Sequence, residues 1–373
     1  LYLDKAFETD PDYSLAWSLQ GDLYRLENMP EAAIEAYTKA IENSHNKSRD
    51  LIQRARLYMQ LAQYEQAQHD VDNLKKITPG HPEADFVQGL LYLAQNNSLE
   101  AQESLEHCLR KSPDHMLATY YLGVVHFTRG NMEQADRYLS SHMDDNPGSI
   151  NGRKLLALVK LRLGDYISTE NLIDPVVKSR PDDTIALNSL ADSMFYQGKI
   201  DELMPVLKES AAHQPDSASA QTRMGIGLLL QGEEEAAIDS LESAIEIDPG
   251  HKTSDMLLVL HYLHTQQYDK AQQAADAFTE KQPDNPIAHN LVGKSYFVQG
   301  QEAQATEAFE KARRLDPGNI YTCRNLAILA LRQSDTERAR ALFHEALEHN
   351  EGHLTTMSLL AALEEREGNY KAM

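Results

Sequence analysis

Apolar positions along this chain recur at helical spacing. In residues 14–47, SLAWSLQGDLYRLENMPEAAIEAYTKAIENSHNK, Trp17, Gly21 and Tyr24 stand at i, i+4 and i+7. After a break at Glu27–Pro30, Ala33, Tyr37 and Ala40 repeat that spacing. Each stripe is one face of an α-helix, so the stretch predicts two helices of about 14 residues, each marginal until it is packed. The pattern then returns with a step of 34: Pro11, Pro79, Pro113, Pro147, Pro181, Pro215, Pro249, Pro283 and Pro317 lie on one grid, and His45 and Glu351 fill its two proline-free points. Ten full units follow in one register: 14–47, 48–81, 82–115, 116–149, 150–183, 184–217, 218–251, 252–285, 286–319 and 320–353. A partial unit stands at each end, and the whole of 1–373 reads as a single solenoid, expected to be a piece of a longer array.

The special positions within a unit have physical reasons. The eighth is Gly21, Gly89, Gly123, Gly225 or Gly293, and alanine at Ala55, Ala157, Ala191, Ala327 and Ala361, which lets the two helices of a pair approach. Alanine answers at the twentieth position, for example Ala33, Ala101 and Ala305, and Tyr24, Tyr58 or Tyr92 fills the eleventh. Gly130, Gly164, Gly198, Gly232, Gly300 and Gly368 fall at the fifteenth, where a helix end favours a left-handed residue. The recurring proline ends the second helix. The fifth and sixth units depart from the pattern: Thr169 and Leu203 replace the twentieth alanine, and Pro175 and Pro205 are expected to interrupt the second helices, Pro175 more than Pro205.

A 34-residue pair with Trp17, Gly21 and Tyr24, then Ala33, Tyr37 and Ala40, then proline, resembles the tetratricopeptide repeat, and the resemblance covers the whole chain. It implies an all-α, right-handed αα superhelix whose first helices line a concave groove for a protein or peptide segment, with no catalytic role and no cofactor. Four segments, GRKLLALVKLRLGD (152–165), DMLLVLHYLHTQQYDKA (255–271), KQPDNPIAHNLVGKSYF (281–297) and NLAILALRQSDTERARALF (325–343), look like the long tetratricopeptide lipoproteins of PEP-CTERM sorting and exopolysaccharide systems in Gram-negative bacteria. That likeness implies a scaffold in the cell envelope, periplasmic or outer-membrane-associated, with a lipid anchor in the full-length protein. The alternatives are a cytoplasmic location and a non-catalytic module of a larger enzyme, such as a glycosyltransferase or peptidase.

Charge narrows the partners. With 57 acidic against 35 basic residues the net charge is −22, which argues against nucleic acid, whose phosphates need an excess of Lys and Arg. Apolar runs such as LLALV at 155–159 are too short to span a bilayer. Cys108 and Cys323 lie more than six periods apart and are expected as separate buried residues. No catalytic or metal constellation stands out. The glycines of MGIGLLLQGE (224–233) lack a phosphate-loop lysine, and His261 and His264 are expected to be solvated. His126 and His142 are expected to face each other inside one hairpin, hydrogen-bonded in the interior; Cys108 and Lys160 hold the matching positions one unit away, about 10 Å off, too far for Cys108 to complete a metal site.

The family groove positions, the second, fifth, ninth, twelfth and thirteenth, place Phe86, Leu90 and Leu93 inward in the third unit, and Leu117, Tyr120, Val124 and Phe127 in the fourth. Lys154, Leu158, Leu161 and Arg162 follow in the fifth. A helix apolar on all sides is either covered or binds something. The binding reading makes Phe86, Tyr120 and Phe127 anchors, with Lys154 and Arg162 as charge partners; the competing one is tight coiling, in which adjacent first helices cover one another. A second, polar and partly basic stretch holds Asn290, Lys294, Tyr321, Arg324 and Arg332. It resembles, though not residue for residue, the clamps by which some family members hold a peptide carboxylate.

Overall fold

The computed structural model describes residues 2–350 and 352–368. Among them are twenty-two helices and no strand. Glu351 and the expected start of a further helix beyond Gly368 lie outside the described residues. Every second helix from Pro30–Asn43 to Thr336–His349 has 14 residues, and the first helices have 13 or 14. Contacts along the chain group into two units, 1–197 and 198–373.

Local chemistry starts and stops these helices. Ser149 accepts from the backbone N–H of Gly152, Asp165 from that of Ser168 and Ser217 from that of Ala220, each capping a helix N-terminus. The fifteenth position ends each first helix in the left-handed region, at φ from 56° at Ala62 to 78° at Gly164. There Asn131 N–H reaches back to the carbonyl of His126 at 2.9 Å, satisfying the open end of the helix.

In residues 1–197 a core forms around Ala55, Val71, Val87, Leu91, Leu105, Leu122 and Val125. In residues 198–373 the corresponding core includes Ala305, Phe309, Leu326, Leu342 and Phe343. The eighth-position glycines face the twenty-fourth residue of their own unit. A β-carbon on Gly123 would stand 2.5 Å from Cγ of Leu139, and one on Gly293 2.5 Å from Cδ1 of Phe309. The twentieth alanines are buried beside this contact, and the larger residue four positions on fills the notch.

The two prolines do not interrupt their helices, contrary to expectation: Tyr166–Ser179 and Ile200–His213 both run through them. A proline removes the hydrogen bond to the carbonyl four residues earlier. Those carbonyls belong to Asn171 and Asp201, both exposed residues, where water can serve them. Thr169 is accommodated by donating its hydroxyl to the carbonyls of Asp165 (2.9 Å) and Ala157 (3.3 Å).

Candidate functional site

The apolar strip of the third to fifth repeats is mostly covered. Phe86 is only 1% exposed, with its ring centroid 4.7 Å from that of His115 and 5.9 Å from that of Tyr121, so it cannot anchor a partner. Leu90 and Leu93 are half-buried against the core of residues 1–197. Tyr120 and Phe127 pack on Ala135, Leu139, Leu156 and Val159, and the Tyr120 ring lies 5.1 Å from His142. Burial raises the Tyr120 phenol pKa. Val124 is half-buried, whereas Leu117 is 47% exposed. Lys154 is not a free cation: its Nζ donates to Asp183 Oδ2 at 2.7 Å. Burial alone would raise the Asp183 pKa, but Lys154 and the Ala186 N–H outweigh it and hold that carboxyl below its usual range. Arg162 is exposed. Here adjacent helices largely cover one another.

The fifth position explains the difference. Its side chain points at the junction with the next repeat. Ser18 donates to Asp50 at 2.6 Å, Thr222 bonds Ser254 at 2.6 Å and Asn290 donates to Thr322 at 2.6 Å, each time from the fifth position to the third of the following repeat. Where the fifth residue is Ile52, Phe86, Tyr120 or Met256, the third of the next repeat is Ala84, Ala118, Gly152 or Ala288. At these seven junctions polar meets polar and large meets small, whereas Asn188 has Ala220 as its counterpart.

The second stretch is open. First helices Lys252–His264, Pro286–Val298 and Ile320–Arg332 surround a cavity of about 510 Å³ that brings together Asn290, Lys294, Tyr321 and Arg324. Its apolar lining is Met256, Leu260, Ile287 and Leu291. Tyr321 is 54% exposed and carries the Arg324 guanidinium 5.3 Å from its ring centroid. Neither Lys294 nor Arg324 pairs with a carboxylate among the described residues. Arg332 sits over the Phe297 ring at 3.9 Å and does not line the cavity. Sequence reasoning missed Asn319 and Asn325, which complete the polar lining. Asn325 stands 35 residues after Asn290 and donates to it, a pairing between repeats that the pattern within one repeat does not show.

The remaining candidates are structural. His126 and His142 are buried but do not bond each other. His126 stacks on Tyr138 with centroids 5.3 Å apart, and its Nδ1 has no partner. His142 Nδ1 lies 3.2 Å from the Met116 carbonyl, while its Nε2 has none. Lys160 pairs with Asp136 at 2.9 Å. His261 is buried, correcting the expectation that it is solvated, and His264 is exposed. Burial first, then nearby carboxylates, pushes the Cys108 and Cys323 thiols up to about 11, far from a reactive thiolate. No helix among the described residues is long and apolar enough to cross a membrane.

Paired helices on a 34-residue grid, stacked through fifth-to-third contacts around an open cleft, define a helical repeat scaffold. Models of the tetratricopeptide repeat match residues 15–45, 86–148, 228–294, 286–319 and 324–372, together more than half of the chain, which belongs to this family of protein-interaction scaffolds. No curated protein matches the sequence. Among solved structures, MamA (41-end) from Desulfovibrio magneticus RS-1 is 24% identical over 46% of this chain and 96% of its own, with a TM-score of 0.38. A tetratricopeptide repeat protein from Parabacteroides merdae ATCC 43184 is 16% identical over 76% and 98%, with a TM-score of 0.49. The APC/C hetero-tetramer Cut9-Hcn1 is 12% identical over 95% and 90%, with a TM-score of 0.45. The finer likeness to sorting and exopolysaccharide proteins has no counterpart among these matches.

Proposed function

We propose that this chain is a non-catalytic scaffold holding an extended, acidic protein or peptide segment in the cavity of repeats eight to ten. The observation that carries this reading is the pair Lys294 and Arg324, unpaired among the described residues of a chain with net charge −22, beside an apolar lining. A carboxylate placed there gains two cations, while Leu260, Ile287 and Tyr321 offer area to an adjacent apolar side chain. Capped eight-residue peptides, each with one Glu beside Leu, are to be screened by fluorescence anisotropy. Lys294→Gln with Arg324→Gln is expected to weaken the binders about tenfold or more, as is replacing the peptide Glu by Gln. Unchanged affinities in the double variant would remove the cavity as the binding site.

The setting we propose is the cell envelope, periplasmic or outer-membrane-associated with a lipid anchor in the full-length protein. It rests on the likeness of residues 152–165, 255–271, 281–297 and 325–343 to envelope sorting and exopolysaccharide scaffolds. Fractionation of cells expressing the full-length gene tests it: recovery with the outer membrane is expected, and recovery solely in the cytoplasm would refute it.

A further inference from the structure

The last residue of a repeat caps the first helix of the next. Ser149, Asp183, Ser217 and Asn319 do so through oxygen, accepting the N–H of Gly152, Ala186, Ala220 and Thr322. His115 does so through nitrogen: its Nδ1 accepts the Ala118 N–H at 3.0 Å. A backbone N–H is always the donor, so Nδ1 carries no hydrogen and the ring's one hydrogen sits on Nε2. Nε2 lies 3.3 Å from Glu83 Oε2 and donates to it. Neutral His115 therefore ties the first turn of Met116–Thr128 to the first turn of Pro82–Ala94. The buried Phe86 ring, with its centroid 4.7 Å away, backs the imidazole.

A proton on Nδ1 turns that acceptor into a donor facing a donor. It also sets a positive charge on the helix end where the backbone dipoles are already positive, so the bond to Ala118 breaks. The bond to Glu83, on the far side of the ring, survives and gains charge. The surrounding groups do not reverse this. Arg56 of Ser48–Gln60 shares Glu83 from 3.6 Å. Asp85 is taken by His107 and Lys111 of Ser98–Lys111, each at 2.8 Å. Met116–Thr128 itself has no carboxylate, and His142 of Met132–Asp145 donates from Nδ1 to the Met116 carbonyl at 3.2 Å. His81, which accepts the Glu83 N–H at 3.2 Å, meets the same loss one repeat earlier. His251 and His353, at the same position elsewhere, have a hydroxyl nearest Nδ1, Ser254 at 3.0 Å and Thr356 at 2.8 Å. A hydroxyl donates or accepts, so those two places tolerate the proton.

We propose that His115 is an acid-released clasp between repeats three and four. Above about pH 6.5, where imidazole is ordinarily neutral, it holds both helix ends; below, it stays on Glu83 and lets go of repeat four. The freed turn carries Leu117, a groove position 47% exposed, so acid loosens the groove wall there. Helices Pro286–Val298 and Ile320–Arg332 at the cavity are capped by Asn285 and Asn319, which do not titrate, and they keep their ends.

Hydrogen exchange of the full chain tests this, followed amide by amide by NMR and corrected for the intrinsic rate at each pH. Only the uncapped form takes a proton at Nδ1. The protection of the Ala118 N–H is therefore expected to fall about tenfold between pH 7.5 and 5.5, on imidazole's ordinary titration at about 6.5. Ala220 and Thr322, held by Ser217 and Asn319 at the same place in other repeats, are expected to keep theirs in the same sample. His115→Asn, which caps as Asn319 does, is expected to remove the fall; should it not fold, His115→Ser takes its place. Glu83→Gln still accepts the Nε2 hydrogen but no longer draws a proton to the ring, and is expected to move the midpoint of the fall to lower pH. Helix ends that merely fray in acid would take Ala220 and Thr322 with them. An Ala118 amide that follows those two controls, a His115→Asn or His115→Ser protein with the wild-type fall, or a midpoint unmoved by Glu83→Gln overturns the clasp.

Discussion

At the fifteenth position one backbone conformation is kept while its occupant varies. Asn28, Ala62, Asn96, Gln266 and Ser334 adopt the same left-handed φ as the glycines at 130, 164, 198, 232, 300 and 368. Asparagine tolerates that region, glycine is at ease in it, and Ala62 has no compensating side chain. Gly130→Ala meets nothing within 4 Å and is expected to cost about 1 kcal/mol of backbone strain alone, and Ala62→Gly is expected to stabilise by up to about as much. Gly123→Ala is expected to cost more than Gly130→Ala, because the new β-carbon lies 2.5 Å from Leu139 Cγ inside a closed pair. Urea unfolding of the three variants gives the order. A Gly123→Ala protein as stable as Gly130→Ala would mean that the pair has slack the packing does not show.

Across elements, helix pairing and register were legible in the sequence because they follow from a 3.6-residue period and a fixed step. Coverage was not. Phe86 and Leu117 both lie on groove positions, yet one is 1% exposed and the other 47%. Periodicity identifies a face, while the neighbouring repeat decides how much of that face it hides: the fifth position meets that neighbour at Ser18 and Thr222 but lines the open cavity at Arg324. Asn290, Lys294, Tyr321 and Arg324 were found because charge on an inward face is visible in one repeat; Asn319 and Asn325 needed the pairing between repeats. The buried hairpin of repeat four adds a pH dependence. Burial, then the Arg129 charge, lowers the His126 pKa from 6.5, with Glu106 opposing, and the ring stacks on Tyr138. The unfolded chain thus binds the proton more readily. The contribution is fully present above about pH 6.5 and is lost as pH falls through the folded pKa. The melting temperature is expected to drop between pH 7.5 and 5.5, and His126→Phe, which keeps an aromatic ring beside Tyr138, is expected to flatten that drop. An unchanged slope in the variant would assign the effect to other groups.

For the molecule as a whole, stacking makes stability a sum over repeats and their junctions. The junction contacts Ser18–Asp50, Thr222–Ser254 and Asn290–Thr322 each join a repeat to the next one along. Damage should therefore stay near where it is made. Phe309 offers the test, because it is 1% exposed, fills the notch at Gly293 and packs with Leu326, Ala327 and Phe343. Removing that ring should open a cavity worth about 3–5 kcal/mol, enough to open the surrounding repeats transiently. Amide hydrogen exchange of Phe309→Ala is expected to show lost protection across helices Pro286–Val298, Glu302–Leu315 and Ile320–Arg332. Helices Ser48–Gln60 through Met132–Asp145 should keep theirs. A uniform loss over both sets would show that the chain unfolds as one cooperative body, and that the energy of a junction reaches well beyond its two repeats.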